Sequence, residues 1–576
     1  MSKNTIFAAM GKVPFDLAVK DVRLVNVLTS EIYPCDIGVA DGQFAYVGRL
    51  ESCHSAKRTI DGQGFYAAPG FIDSHMHIES SMMTPANFAA AVLPLGTTSV
   101  AADPHEMGNV LGTAGVRLMT EMSRNLPLHV HVLAPSTIPS APGFETSGAE
   151  IGGKEMEEML AFDGILGLGE VMDFHGVIAG DQKLMDIIDA AKKAGVLLDG
   201  HVPALKGREL QAFAASGIDC DHTFMDPEIV AEKLRYGISV QIQERFLTRE
   251  LMAYLNTCPV QSRIMLVTDD VPITRLAARG HIDGILRKAM ALGLDPMRAY
   301  RYVTINAADR LRLYHRGAVA PGRGADLVLL SSLEEAKVEM VFSDGRLVAE
   351  RGALLEPLAA PAFPDFVYHT IKLPRLSAED FTVRAKDPAA KNARVNVIRQ
   401  DGLTSRTCLE QALLPVEKGV IGQKGLMKAA VFERHTGKAG RSLGFIGNMA
   451  GFRGALATTY AHDCHNLAVY SSNDADAVLA ANTLIEMGGG VAAVLEGRIL
   501  SAIPLPIGGI LCTDGLKTLA EKFSVFDRAA RTMGLNHQEP LTFLTLMSLA
   551  VSPEVKLTDR GLIDVMTKTY LPLEAK

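Results

Sequence analysis

Apolar and polar positions follow two rhythms along this chain, and the changes of rhythm mark its organisation. Between residues 14 and 69 short β-type runs (Phe15 to Val19, Val22 to Val27, Asp36 to Val39, Phe44 to Val47) alternate with turns, a pattern for a small sheet. The same texture returns from Gly317 to Glu350 around a Ser-Asp-Gly turn. Between these pieces eight apolar runs are predicted as strands, near 71–78, 96–103, 128–135, 165–171, 195–202, 218–224, 238–244 and 263–270. The stretches separating them, such as Met83 to Leu95, Gln182 to Ala194 and Glu228 to Tyr236, carry apolar residues at helical spacing.

Eight strand and helix units of this size predict the α/β class and a (β/α)8 TIM-type barrel over residues 71–314, with its chemistry at the C-terminal ends of the strands. A small β-sandwich domain, split around the barrel, is expected from 1–70 plus 315–356. Residues 357–394, interrupted by Pro357, Pro361, Pro364 and Pro374, read as a Pro-rich linker. Residues 395–576 then form a C-terminal α/β domain with a helical run from Asp474 to Glu486 and a turn at Gly488-Gly489-Gly490.

Composition narrows the function classes. A chain of 576 residues, 48% hydrophobic and 21% charged, is ordinary for a large folded enzyme and must divide into several cores. A net charge of −8 with no long Lys/Arg block gives no attraction to nucleic acid or an anionic membrane surface. No secretory or membrane-spanning run stands out, and seven scattered cysteines without a Cys-x-x-Cys pair suggest neither a disulfide framework nor a thiolate zinc site. The cytoplasm is the expected compartment.

The residues closing the predicted strands carry the chemistry. Strand one ends in Asp-Ser-His-Met-His, so Asp73, His75 and His77 project to one face. Strand two ends in Asp103-Pro104-His105-Glu106, strand four in Glu170, strand five in His201, strand six in His222, strand seven in Glu244 and strand eight in Asp269-Asp270. A lone histidine near a strand end is usually a structural residue. Several such strands together predict that His75, His77, Glu170, His201, His222 and Asp269 surround two divalent ions, with Glu170 placed to bridge them. Asp270 faces the other way and suits a loop or helix cap. His105 and Glu106 fit either a substrate-facing role or, for Glu106, a helix N-terminus.

These strings make the chain recognisable. Ala-Pro-Gly-Phe-Ile-Asp-Ser-His-Met-His-Ile-Glu-Ser-Ser, Ala-Asp-Pro-His-Glu, Gly-Glu-Val-Met-Asp-Phe, Leu-Asp-Gly-His and Val-Thr-Asp-Asp resemble the metal-dependent amidohydrolase superfamily. Ala-His-Asp-Cys-His-Asn from Ala461 to Asn466, Ile-Glu-Met-Gly-Gly-Gly and Leu-Pro-Leu-Pro-Ile narrow the resemblance to its bacterial adenine deaminases. The resemblance implies hydrolytic removal of the 6-amino group of a small-molecule purine base, adenine, by water activated at two divalent metal ions, manganese or iron, with zinc as the alternative. It makes His75, His77 and Asp269 ligands of one ion, His201 and His222 ligands of the other, and Glu170 the bridge. Asp269 is then the first proton acceptor, and Glu244 a shuttle or a contact to a ring nitrogen. A homo-oligomer is expected.

Two departures from the family pattern fall near the expected substrate pocket: Thr223 stands where a Glu is usual, and Gln243 where an Arg is usual. Both are candidate substrate contacts, with His105 and Glu106, and they leave a different aminopurine open as substrate. His435, His462, Asp463 and His465 form a second His/Asp group, read as a hydrogen-bonded turn network in preference to a substrate or ion site. The competing enzyme is a cyclic amide hydrolase of the dihydroorotase or hydantoinase kind, whose bridge is commonly a carboxylated lysine where this chain has Glu170. A barrel scaffold without catalysis has no need of the intact ligand set.

Overall fold

The computed structural model describes residues 3–359, 362–400, 406–423, 425–438, 440–449, 451–535, 537 and 539–575. Pro361 of the Pro-rich stretch lies outside them. The chain forms two compact units, the first comprising Met1–Pro104, Arg117–Ser136 and Gly152–Ala360, the second His105–Val116, Thr137–Ile151 and Pro361–Lys576.

In the first unit every predicted strand region carries a parallel strand: β1 (Phe71–His77), β2 (Thr97–Ala102), β3 (His129–Ala134), β4 (Ile165–Val171), β5 (Leu197–Gly200), β6 (Cys220–Asp221), β7 (Ser239–Gln243) and β8 (Ile264–Val267). This is a TIM-type α/β fold. Strands such as β8, Ile-Met-Leu-Val, are buried at every residue, as strands covered on both faces must be. Ile242 and Leu266 pack with Leu251, Leu286 and Tyr300 of the surrounding helices. Ile72, Leu133, Leu197 and Met265 pack with Ala307 and Leu311.

The ladder runs β5-β4-β3-β2-β1 and continues from β1 to Asp269–Asp270, which follow β8 after Thr268. A second ladder joins β6, β7 and β8. Between β5 and β6 side chains do the joining. The Val202 amide donates to the Asp221 carboxylate at 2.6 Å, and buried Lys233 donates to that carboxylate and, at 3.2 Å, to the Val202 carbonyl. Arg310 donates to the Leu198 carbonyl at 2.7 Å and lies 3.4 Å from Asp219. Across the interior, the Gln241 amide donates to the Ser74 carbonyl and hydroxyl at 3.0 and 2.9 Å.

The early and late β-type segments meet in one nine-stranded sheet, where Tyr66–Pro69 pairs antiparallel with Leu327–Ser332. The second unit is built on a nine-stranded sheet running from Asn392–Gln400 to Arg498–Pro504, with the helix Asp474–Met487 packed through Ala477, Ala481 and Leu484. Leu373, Leu376 and Phe381 of the Pro-rich stretch are buried in that same core. Among the described residues no helix is long and apolar enough to cross a membrane.

Candidate metal centre

The strand ends of the first unit bring six side chains together. Ligand atoms of His75, His77 and Glu170 lie within 4.8 Å of one another, as do those of His75, His222 and Asp269, and those of Glu170, His201 and His222. Glu170 belongs to two of these triads: one oxygen is 3.3 Å from His77 Nε2, the other 2.7 Å from His201 Nδ1 and 3.0 Å from His222 Nε2. Asp269 Oδ1 is 3.3 Å from His77 Nε2 and 3.6 Å from His75 Nε2. It adopts a left-handed backbone (φ 58°), which Asp tolerates better than most side chains, directly after the break at Thr268 between β8 and Asp269–Asp270. Asp270 instead accepts the Ser80 hydroxyl at 2.5 Å.

The electrostatics of this cluster call for positive charge. Burial opposes ionisation of Glu170, yet His222 and His201 outweigh it and hold its pKa well below the ordinary range. For Asp269 burial is likewise overcome by His75, His77, His222 and Arg245. On the other side, burial disfavours charge on His75 and His77, but Asp199, Asp269 and Glu170 drive His75, and Asp269, Glu170 and Asp270 drive His77, well above the usual imidazole value. Without a cation, protons on imidazole balance the carboxylates. A divalent ion is the alternative source of that charge, and buried His75 Nε2, which has no hydrogen-bond partner, offers a lone pair for it. The donor set therefore fits a divalent metal ion.

Sequence reasoning assigned no orienting role to the residues that support these donors. Asp199 Oδ2 is 2.8 Å from His75 Nδ1, and burial notwithstanding, His75 and Arg310 hold Asp199 down to about 2. The Asp103 carbonyl accepts from His77 Nδ1 at 2.9 Å, while its carboxylate accepts the Glu170 amide at 2.9 Å. That carboxylate rests against Gly169, where a Cβ would meet Oδ2 at 2.1 Å. Arg245 reaches Asp269 Oδ2 at 3.3 Å. Asp199 carried a usable signal, since it lies two residues before His201 and so shares its strand face.

The remaining candidates have other partners. Glu244 is ion-paired with Arg279 (3.1 Å) and Lys288 (3.3 Å). The Thr223 hydroxyl donates to Asp221 at 2.8 Å, and the Gln243 amide donates to the His222 carbonyl at 2.8 Å. In the second unit Glu106 is fully buried, with His462 Nδ1 and His465 Nε2 each 2.5 Å from its carboxylate and His105 Nε2 at 3.6 Å. His465 Nδ1 accepts the Ala461 amide, so its ring proton sits on Nε2 and is donated to Glu106. Burial works against charge on Glu106, but His462, His465 and His105 keep it well below the usual carboxylate range. Asp463 accepts the Ser140 hydroxyl at 2.5 Å, and His435 bonds to the Cys464 carbonyl at 2.7 Å, apart from Glu106.

A family model described as "Amidohydrolase family" matches residues 66–348, and one described as "Adenine deaminase C-terminal domain" matches residues 405–569. A Moorella thermoacetica protein named adenine deaminase is 39% identical, over 98% of this chain and 97% of its own. The chain belongs to the adenine deaminase family. Two further adenine deaminases, from Oleidesulfovibrio alaskensis and Carboxydothermus hydrogenoformans, are 38% and 37% identical, the first over 100% of both chains and the second over 99% of both. The adenine deaminase likeness thus runs through both units, and the amidohydrolase part contains all six clustered side chains.

Proposed function

We propose that this protein hydrolyses adenine to hypoxanthine and ammonia, using two divalent ions, manganese or iron, held by His75, His77, Glu170, His201, His222 and Asp269. The observation that carries the reading is the convergence of these six side chains within a chain similar along its full length to adenine deaminases. In the overall reaction a C6–O bond forms from water and the C6–N bond to the amino group breaks. A divalent ion held there supplies Lewis acidity that brings the pKa of a water molecule near neutrality.

The chain's own residues do the rest. Asp269, ionised, accepts a proton at a carboxylate oxygen and returns it to the departing amine. Arg245 steadies Oδ2, leaving Oδ1 on the side of His75 and His77. Glu170, held at its amide by Asp103, would be the carboxylate held in common by two ions. Glu244 remains the candidate for a ring-nitrogen contact or a proton shuttle. In this reading residues 71–314 form the catalytic barrel, and the small β domain and residues 395–576 are the accessory domains of a homo-oligomer.

Metal-reconstituted protein assayed by purine absorbance beside ammonia release should convert adenine and prefer the free base to adenosine. Hydrolysis of a dihydropyrimidine or hydantoin with no turnover of any 6-aminopurine would replace this reading with the cyclic amide hydrolase.

A further inference from the structure

The two histidines of the first strand are supported differently. His77 gives its Nδ1 proton to a neutral backbone carbonyl, that of Asp103. His75 faces a carboxylate, Asp199 on β5, at 2.8 Å, with both residues buried. A carboxylate beside Nδ1 accepts and does not donate, so when a divalent ion takes the place of the second ring proton, the His75 proton stays on Nδ1 and the lone pair is on Nε2. Nε2 is the buried atom without a hydrogen-bond partner, 3.6 Å from Asp269, on a ring stacked against His222 with centroids 3.7 Å apart. The orienting group is itself fixed. Arg310 is 3.8 Å from Asp199 Oδ1 and is tied to the Leu198 carbonyl on the same strand.

We infer that Asp199 is a positioning residue for His75: it fixes the ring's tautomer and orientation and makes Nε2 the more basic donor toward a divalent ion. The inference rests on the metal-centre reading above. Partners of this kind contribute about 10–100-fold in metal affinity.

The test is Mn2+ titration of the metal-stripped full chain, followed by electron paramagnetic resonance, for wild type, D199N and D199S, with the melting temperature of each stripped protein measured in parallel. Asn keeps the shape and loses the charge, and Ser removes both. The expected result is affinity about 10–100-fold weaker in both variants, with the stripped melting temperature of at least one near wild type. Visible spectra of the Co2+ forms should change as well, because a ring free to turn alters the ligand field. Wild-type Mn2+ affinity in both variants overturns the inference while leaving the metal centre intact. Weaker affinity that follows an equal fall in stripped stability in both variants assigns Asp199 to the scaffold and overturns it too. A wild-type chain that binds no Mn2+ refutes the metal-centre reading itself.

Discussion

Gly169→Ala tests how the bridging carboxylate is held. The new Cβ would stand 2.1 Å from Asp103 Oδ2 and 2.6 Å from its Cγ, well inside contact distance. The Asp103 carboxylate must move, and it is the acceptor of the Glu170 amide at 2.9 Å in a buried site. Leaving that amide without an acceptor costs about 1–3 kcal/mol, and the overpacking costs about 1–3 kcal/mol more. A total of roughly 2–6 kcal/mol lowers the melting temperature of the first unit by roughly 4–12 °C. Metal content should fall with it, since Glu170 turns with its backbone. Calorimetry of the stripped protein and elemental analysis of the reconstituted protein read the two effects. A cycle with D103A isolates the cause: once the carboxylate is gone, adding Gly169→Ala should cost little further. Wild-type melting and metal content in G169A, or an undiminished penalty in the D103A background, refutes this account.

Two further outcomes follow from the same geometry. Glu170→Gln removes a carboxylate shared by the two triads His75–His77–Glu170 and Glu170–His201–His222, and should lower metal affinity by about a hundredfold or more, with the rate falling alongside. Full metal occupancy and wild-type turnover in E170Q would show that Glu170 does not bridge. His435 is held neutral by burial and by the Arg434 charge, with its folded pKa well below the usual imidazole value. Between that depressed value and roughly 6.5 the unfolded chain binds the extra proton, so stability is lost as pH falls through this window, by up to about 1.4 kcal/mol per pH unit. Melting curves from pH 7 to pH 5 should be steeper for wild type than for H435Q, and parallel curves would refute the assignment.

The strand ends were legible because alternation along a strand fixes which residues share a face, so His75 with His77, and His201 and His222 at their strand ends, could be read before any coordinates. Alternation does not name partners. The hydrogen bond from His75 to Asp199 spans 124 positions, and that from His465 to Glu106 spans 359. Thr223 and Gln243 read as pocket residues by position, and the bonds they make, from the Thr223 hydroxyl to Asp221 and from the Gln243 amide to the His222 carbonyl, are matters of local closure invisible in the pattern. The bond of His435 to the Cys464 carbonyl likewise joins residues 29 positions apart.

The side-chain seam between β5 and β6 has a consequence for how an ion enters and leaves. Between β5 and β6 the wall is joined by Arg310, Lys233 and Asp221 in place of the rows of amide bonds that run along β5-β4-β3-β2-β1 and along β6-β7-β8, so amide hydrogen exchange should begin there. His201 follows one side of that seam and His222 the other. Local opening would part these two donors while His75 and His77 stay fixed on β1, making metal loading a breathing motion of one wall instead of an unfolding of the barrel.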